Sequence, residues 1–374
     1  IQYLGYLVKV ATPVITILVV RAYGKVPYGI FVVCQAALLW LMRASLLGLD
    51  KGLIWWVARQ DKGEEAGGVF SVACRVGVLS ALAAMGLMAV SEQVANLIGA
   101  ESAGDALRWM APGVVPMTVA EVFVAASHGR RRVEVQVIIK DVLMGFVLAI
   151  SALGFFYIGL EEQGLPWAFL LSTSVACIGS IIGWSLIVKP FQGQRLPRIS
   201  VSLPNDLVRF SWPMWAAEVT SSLVQRLDMF IVAHAADPAT LAVYAVVVQI
   251  ANTIRSIRQA FDSIATAILS GVAKTGDLFR LRHNFSYATM LVCGTQMPIY
   301  AALIAFTPWL LSLYGPGFEA GSTAVLILCA FWMVNGIVGL NGHLVIGQGH
   351  SRFVLYNTLA TLFVLAYLLV SWVP

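Results

Sequence analysis

The chain has 374 residues, of which 59% are hydrophobic and only 11% are charged. A soluble domain carries about 25% charged residues, because charge must cover a surface that faces water. These proportions exclude a water-soluble enzyme, a nucleic-acid-binding protein and a disordered chain. A membrane-spanning helix needs only about 20 apolar residues, so the length allows many spans.

The apolar stretches are long and continuous, as in 76–90 and 353–373. A membrane β-barrel would instead show short strands in which apolar and polar residues alternate. The sequence therefore predicts an all-α polytopic membrane protein. The excess of basic residues, 24 Lys and Arg against 19 Asp and Glu, is typical of cytoplasmic loops in such proteins and does not indicate nucleic-acid binding.

Charged and Pro/Gly-rich breaks divide the chain into eleven predicted spans. Their predicted limits are 1–20, 28–58, 68–91, 104–128, 134–159, 165–188, 206–235, 239–270, 282–313, 319–346 and 351–373. The longest connection separates six spans from five, which predicts an N-terminal lobe of residues 1–190 and a C-terminal lobe of residues 191–374. Because apolar sequence begins at residue 1 and ends at residue 374, we expect that a twelfth span is missing.

The distribution of Lys and Arg over the loops predicts the orientation of the chain. The loops on one side, with their edges, contain twelve of these residues, whereas the opposite side contains only Arg21 and Lys25. Basic residues concentrate in the cytoplasmic loops of membrane proteins. The bias therefore predicts a cytoplasmic N-terminus.

Thirteen ionisable residues fall inside the predicted spans, where each costs about 2.5–3.5 kcal/mol at a helix centre. They must either pair with one another or line a hydrated cavity. For Asp50 and Lys51, a bend or an interface is an equally open interpretation. The thirteen are Lys9, Arg43, Asp50, Lys51, Glu121, Lys140, Asp141, Glu218, Arg226, Asp228, Arg255, Arg258 and Asp262.

A polar stripe follows one face of the eighth predicted span, at spacings of three and four residues. Such a stripe on a membrane helix predicts a water-filled pathway. Arg258 and Asp262, four residues apart, can alternatively neutralise each other. Arg255 has no acidic residue three or four positions away, which makes it the better candidate for an anion site. The stripe consists of Gln249, Asn252, Arg255, Ser256, Gln259, Asp262 and Ser263.

The acidic residues of the seventh span have two open interpretations. Glu218 and Asp228 can couple transport to H⁺ or Na⁺, because a carboxyl group near the bilayer midplane titrates readily when it is partly desolvated. They can equally serve as partners for Arg226 and Arg43. Pro213, near the start of the same span, is expected to kink the helix or to open a gap in its backbone hydrogen bonds.

A weak internal repeat relates the second and eighth spans. Residues 31–37 and 245–251 agree at four of seven positions, including Gln35 and Gln249. Because the two spans cross the membrane in the same direction, the repeat favours two parallel lobes over an inverted repeat.

Several segments along the chain are typical of one family of membrane transporters. The chain also lacks a GxxxxGK[ST] motif and so has no P-loop ATPase of its own. The segments are Arg21-Ala-Tyr-Gly24 with Tyr28-Gly-Ile-Phe31, Leu47-Gly-Leu-Asp-Lys-Gly-Leu53, Ser211-Trp-Pro-Met-Trp215, Arg226-Leu-Asp-Met-Phe-Ile-Val232, Leu241-Ala-Val-Tyr-Ala-Val-Val-Val-Gln-Ile-Ala251, Leu313-Tyr-Gly-Pro-Gly-Phe318 and Ile346-Gly-Gln-Gly-His-Ser-Arg352. In this order and spacing they resemble the Wzx-type polysaccharide-biosynthesis flippases of the multidrug/oligosaccharidyl-lipid/polysaccharide (MOP) exporter superfamily.

The resemblance implies two six-helix lobes around a central cavity, a MATE-like architecture in the bacterial cytoplasmic (inner) membrane. It implies a transporter rather than an enzyme, which moves an undecaprenyl-diphosphate-linked oligosaccharide from the cytoplasmic to the periplasmic leaflet by alternating access. The product would serve cell-surface polysaccharides such as lipopolysaccharide O-antigen. The expected partners are that glycan lipid, membrane lipids, and the polymerase and chain-length proteins of the same pathway, with no nucleic acid, metal or cofactor.

The resemblance also suggests roles for individual residues. The cavity cations that would hold the diphosphate are Arg43, Arg226, Arg255 and Arg258, with Lys9 in the incomplete first span. The expected polar lining is Gln35, Gln249, Asn252 and Gln259, and the expected ion-coupling acids are Glu218, Asp228 and Asp262.

Two other transporters remain open. A cation-coupled multidrug antiporter would share the architecture but would need an acid-dominated site, whereas the charges inside these spans are at least as basic as acidic. A lipid II flippase is closely related and usually carries extra spans. A non-transporting scaffold would leave the charges inside the spans without a purpose.

Overall fold

A computed structural model describes residues 16–60, 66–98, 100–160, 163–192, 205–273 and 278–338, with 360, 361, 363, 364, 367 and 371. The first and eleventh predicted spans fall largely outside these residues, and Lys9 falls outside them altogether.

The described residues form α-helices joined by short connections, and no strand occurs among them. A π-helical segment (Gln136–Leu143) and short 3₁₀ segments complete the architecture. The predicted all-α polytopic architecture is confirmed. The α-helices are α1 (16–23), α2 (Lys25–Ser45), α3 (Leu49–Val57), α4 (Ala66–Ala89), α5 (Ser91–Ile98), α6 (Gly104–Met110), α7 (Val114–Gly129), α8 (Met144–Tyr157), α9 (Gly164–Gln192), α10 (Asn205–Val224), α11 (Leu227–Ala235), α12 (Pro238–Ala273), α13 (Leu278–Ser312) and α14 (Ser322–Val338).

Eight helical stretches among the described residues are long and apolar enough to cross a membrane. The third to sixth predicted spans agree with these stretches to within two residues at each end. The agreement follows from the long apolar runs, whose ends are fixed by charged loops. The eight stretches are Lys25–Ser45, Ala66–Ala89, Gly104–Gly129, Gln136–Tyr157, Gly164–Val188, Pro238–Ser256, Arg282–Ser312 and Glu319–Gly336.

The second predicted span is broken between α2 and α3, where Gly48 has a φ of +70°. Glycine adopts this left-handed conformation without steric cost. A Cβ atom at Gly48 would also overlap the carbonyl oxygen of Ser211 and lie 2.7 Å from the amide nitrogen of Trp215. The Trp215 indole Nε1 donates a hydrogen bond of 2.9 Å to the Ala44 carbonyl oxygen. The bend and the close approach of α10 therefore both require glycine here.

The seventh predicted span is also two helices. α10 continues through Pro213, and the chain leaves the helical conformation at Gln225 and Arg226 instead. Arg226 has a φ of −120°, outside the helical range, and precedes the first residue of α11. The seventh span is therefore interrupted at Gln225 and Arg226.

Asp237 defines the start of α12. Its carboxylate accepts a hydrogen bond of 2.5 Å from the Thr240 hydroxyl and one of 3.2 Å from the Ala239 amide. Pro238 follows as the first helical residue, a position where proline costs no hydrogen bond. The hydrogen bond from Thr240 lowers the pKa of Asp237 below its ordinary value, because it stabilises the ionised carboxylate.

The described residues divide into two compact units. The first unit contains residues 18–242, and the second contains residues 16–17 together with those from 243 onwards. This division places α10 and α11 in the first unit, whereas the lobes predicted from the sequence meet at residues 190 and 191. The lobe boundary stays a prediction.

We expect Gly48→Ala to destabilise the protein by about 1–3 kcal/mol from its positive φ, and further through the contact with α10. Gly86→Ala is the matched control, because Gly86 lies in α4 and a Cβ atom added there would meet open space. Alanine there should stabilise the helix by about 0.5–1 kcal/mol. Thermal unfolding in detergent measures both, and equal melting temperatures for the two variants would contradict the account.

Candidate functional site

A network of ion pairs joins the second, fourth and fifth predicted spans inside the first unit. The Arg43 Nη1 atom lies 3.2 Å from Oδ2 of Asp50 and 3.3 Å from Oε1 of Glu121. The Lys140 ammonium group donates a hydrogen bond to the other carboxylate oxygen of Glu121. The carboxylates are the most buried members, with 6% of the Asp50 side chain and 12% of the Glu121 side chain exposed.

A second ion pair lies in the same unit, between α3 and α10. The Lys51 Nζ atom lies 3.6 Å from Oε1 of Glu218, and both side chains are partly exposed. The ion-pair network, defined as Arg43, Lys51, Lys140, Asp50, Glu121 and Glu218, contains three cations and three carboxylates. Its formal charge is therefore zero. A neutral network satisfies charge within a membrane protein at lower cost than isolated ions.

The backbone around Lys140 is π-helical. Residues 136–143 form hydrogen bonds over five residues rather than four, which widens the helix and changes the direction of its side chains. This segment carries Lys140 to Glu121 on the neighbouring α7. π-helical turns occur frequently at functional sites. Lys140 is recognisable in the sequence as a charge within an apolar span, but this local geometry is not, because the run 136–143 has no glycine or proline to mark it.

The two most buried carboxylates of the network lie well inside their helices. Asp50 and Glu121 lie seven and eight residues from the C-terminal ends of α3 and α7, which is about two helical turns or roughly 11 Å. Arg43 occupies the last turn of α2, which brings it to Asp50 across the break at Gly48. The break that interrupts the second span therefore also assembles the network.

These ion pairs involve two residues, Arg43 and Glu218, for which the sequence predicted a role in transport. Arg43, expected to hold an anionic substrate, is held by two carboxylates. Glu218, expected to couple transport to an ion or to pair with an arginine, pairs with Lys51. Their predicted roles in substrate binding and ion coupling stay predictions.

The polar stripe of α12 belongs to the second unit, and its side chains are described as far as residue 256. Gln249 Nε2 donates a hydrogen bond of 2.8 Å to the Thr16 hydroxyl oxygen of α1. The guanidinium carbon of Arg255 lies 4.9 Å from the ring centroid of Trp332 on α14. Asn252 is half-buried between them on the helix surface. The first half of the predicted stripe is thus present as one helical face.

The opposite face of α12 is the packed one. Val247, Ile250 and Ile254 are at most 2% exposed, whereas Gln249 and Arg255 are only half-buried. Apolar side chains therefore fill the protein interior, and the polar stripe is the more accessible face. This is the arrangement expected of a helix that borders water rather than lipid.

Gln296 is a buried polar residue that the sequence analysis missed. It is fully buried on α13, and its Nε2 atom donates a hydrogen bond of 3.0 Å to the Ile254 carbonyl oxygen of α12. A Cβ atom at Gly336 would overlap the Gln296 Oε1 atom, so the glycine makes room for the amide. The available signal was an amide side chain near the middle of the ninth predicted span.

The structure describes only some of the other predicted site residues. Gln35 is half-buried in α2, and Asp228 lies in the first turn of α11, two residues after Arg226. The side chains of Arg258, Gln259 and Asp262, in the C-terminal half of α12, are outside the described residues, as is Lys9.

The sequence from residue 17 to residue 318 matches a family described as "Polysaccharide biosynthesis protein". The chain belongs to this family. The resemblance to a polysaccharide-biosynthesis family that its motifs indicated is confirmed. No curated protein matches the chain in sequence.

Solved structures share the fold of this polysaccharide biosynthesis protein. An inward-facing multidrug resistance MATE family transporter of the MOP superfamily has a TM-score of 0.75 at 15% identity, covering 94% of this chain and 87% of that chain. A MATE in complex with MaD3S has a TM-score of 0.66 at 17% identity, covering 95% of this chain and 82% of that chain.

A further similar structure is a MOP superfamily transporter from Pyrococcus furiosus, whose binding pocket is described as having a reversed polarity that suggests a different function. Its TM-score is 0.66 at 16% identity, and the match covers 99% of this chain and 86% of that chain. At these identities the likeness establishes the fold, which is that of the MATE and MOP transporters. The predicted MATE-like fold is confirmed.

We expect Glu121→Gln to destabilise the protein by about 3 kcal/mol, because it leaves Lys140 without its carboxylate and gives the network a net positive charge. The double variant Glu121→Gln/Lys140→Gln restores neutrality and should recover most of that loss. A double-mutant cycle of unfolding free energies in detergent measures the coupling.

Arg132→Gln is the control for this cycle. Arg132 pairs with Glu134 at 3.5 Å, but 63% of its side chain is exposed, so its loss should change stability by at most about 1 kcal/mol. Additive effects of Glu121→Gln and Lys140→Gln would show that the two residues do not act as a pair.

Proposed function

We propose that this protein moves a polyprenyl-diphosphate-linked oligosaccharide from the cytoplasmic to the periplasmic leaflet by alternating access, without hydrolysing ATP. The family match supports a role in polysaccharide biosynthesis, and the MOP fold supports transport. The observation that carries the proposal is Arg255, a cation on the accessible polar face of a helix that is long and apolar enough to span the membrane.

The three parts of the substrate need different surroundings. A diphosphate needs cations, a glycan needs water and polar side chains, and a polyprenyl tail remains in lipid. The stripe on α12 offers the first two together, since Arg255 lies one turn from the amide of Asn252 and two turns from that of Gln249. Arginine suits a diphosphate because its planar guanidinium donates paired hydrogen bonds to phosphate oxygens.

Trp332 supports this role for Arg255. A guanidinium stacked on an aromatic face is attracted by the ring and keeps its N–H donors at its edge. Those donors can therefore bind phosphate while the ring holds the group in place.

We assign different tasks to the two sets of charges. The neutral network of the first unit supports helix packing and is the place where protonation could be coupled to transport through Glu218. The stripe of the second unit binds the diphosphate through Arg255, with Arg258 as a further cation on the same helix. Arg226, Asp228 and Lys9 belong to the proposed path as well, as does Asp262.

We also propose a location for the protein and the proteins that act with it. The basic loops would face the cytoplasm, which puts the N-terminus there and the chain in the bacterial inner membrane. Glycosyl polymerases and chain-length proteins of the same pathway would receive the product.

A multidrug antiporter is the second candidate, and the MATE transporters with the same fold favour it. Such a protein would bind organic cations through carboxylates. The buried carboxylates Asp50 and Glu121 are already neutralised by Arg43 and Lys140, which disfavours this alternative.

We expect Arg255→Gln to reduce translocation of a fluorescent polyprenyl-diphosphate oligosaccharide in proteoliposomes at least ten-fold. The reason is the loss of charge-assisted hydrogen bonds to the diphosphate. Arg255→Lys should keep part of the activity, because it keeps the charge without the planar fork. Arg282→Gln is the control, since Arg282 is exposed near the start of α13.

Wild-type rates in Arg255→Gln would contradict the headgroup site. Transport of an organic cation by the wild type, together with no translocation of the glycan lipid, would instead establish the antiporter.

We expect Glu218→Gln to change the dependence of translocation on an imposed pH or Na⁺ gradient, because it removes the only titratable partner shown for Lys51 among the described ion pairs. Asp228→Asn tests the second candidate acid in the same vesicles. Gradient dependence identical to wild type in both variants would indicate that these carboxylates serve only in pairing.

A further inference from the structure

A cavity of about 450 Å³ lies in the first unit, at the helix ends on the side opposite the basic loops. Three chain segments enclose it: the first turns of α2, the start of α6, and the start of α9. Each of these segments follows a connection on the side whose loops contain only Arg21 and Lys25 as basic residues. The volume falls in the range of small-molecule sites, roughly 300–1,000 Å³.

The cavity has an apolar base and a polar rim. Phe31 and Leu165 line it and are almost fully buried, whereas Ser102, Asp105 and Gln163 are exposed. A carboxylate accepts hydrogen bonds, and a hydroxyl or an amide both donates and accepts. Within the described part of the chain, these three side chains form no hydrogen bond to the protein. They are therefore available to a ligand that carries hydroxyl groups.

Trp109 contributes an aromatic face to the same cavity. Its indole is 45% exposed, and its ring centroid lies 5.7 Å from that of Trp167 at an interplanar angle of 38°. A pyranose ring has one face of C–H groups, which packs on an indole, and an edge of hydroxyl groups, which needs polar partners. Trp109 together with Asp105 and Gln163 meets both requirements in one place.

The charge of the rim selects among the parts of a glycan lipid. The Asp105 carboxylate repels a diphosphate, since like charges raise the energy of both ions. It accepts hydrogen bonds from sugar hydroxyls without that cost. The cavity is therefore suited to the sugar part of such a substrate and unsuited to its headgroup.

We propose that this cavity is a carbohydrate subsite, which holds a pyranose unit of the glycan on the side of the membrane opposite the basic loops. The inference rests on the proposed function, because it places the sugars where translocation would deliver them. An aromatic belt at the membrane interface would account for Trp109 and Trp167. It would not account for a carboxylate and an amide around the same cavity.

Saturation-transfer NMR with the full chain in lipid nanodiscs tests the subsite. The probes are the methyl glycosides of glucose, galactose, N-acetylglucosamine and rhamnose, which contain neither diphosphate nor lipid. At least one should receive saturation from the wild type, and the signal should fall at least five-fold in Trp109→Ala and in Asp105→Ala. Trp309→Ala is the matched control, an exposed tryptophan near the end of α13 outside the cavity, and should keep the signal.

Three results would overturn the subsite: no saturation of any of the four glycosides by the wild type, unchanged signals in both cavity variants, or an equal loss in Trp309→Ala. Asp105 is exposed, so its variant remains informative if Trp109→Ala fails to fold. The experiment measures equilibrium binding only. Absence of glycoside binding would overturn the subsite without testing translocation, which the Arg255 assay measures separately. Likewise, loss of translocation in the Arg255 assay would not contradict a positive glycoside result.

Discussion

An ion buried among membrane helices must be paired or hydrated, and this constraint shapes the whole protein. Where helices pack against each other, it produces a neutral network in which Asp50 and Glu121 receive Arg43 and Lys140. Arg43 of α2 and Asp50 of α3 meet across the break at Gly48. Local backbone geometry and charge pairing are thus parts of one arrangement.

The second unit satisfies the constraint differently. There the stripe of α12 stays accessible while Val247, Ile250 and Ile254 are buried, and Arg255 rests on an aromatic ring. A guanidinium that packs its face on a ring can donate hydrogen bonds from its edge to an anionic ligand, and we therefore propose the headgroup site on α12.

The sequence predicted what depends on periodicity and composition. Apolar runs and spacings of three and four residues predicted the all-α polytopic class, the third to sixth spans and the polar face of α12. The order of the sequence motifs indicated the family. The sequence did not predict the partners of Glu218 or the π-helical turn at Lys140, because these depend on which helices pack together. Gln296 escaped notice for the same reason: its carbonyl partner belongs to a different helix.

Direct binding of the substrate's headgroup is the central claim. It is tested by native mass spectrometry of the full chain in nanodiscs with polyprenyl diphosphate, with the uncharged polyprenol, and with an organic cation as competitor. The account predicts that the diphosphate binds at least ten-fold more tightly than the alcohol, that Arg255→Gln removes the difference, and that the cation does not compete. Equal binding of diphosphate and alcohol, or displacement of the diphosphate by the organic cation, would contradict it.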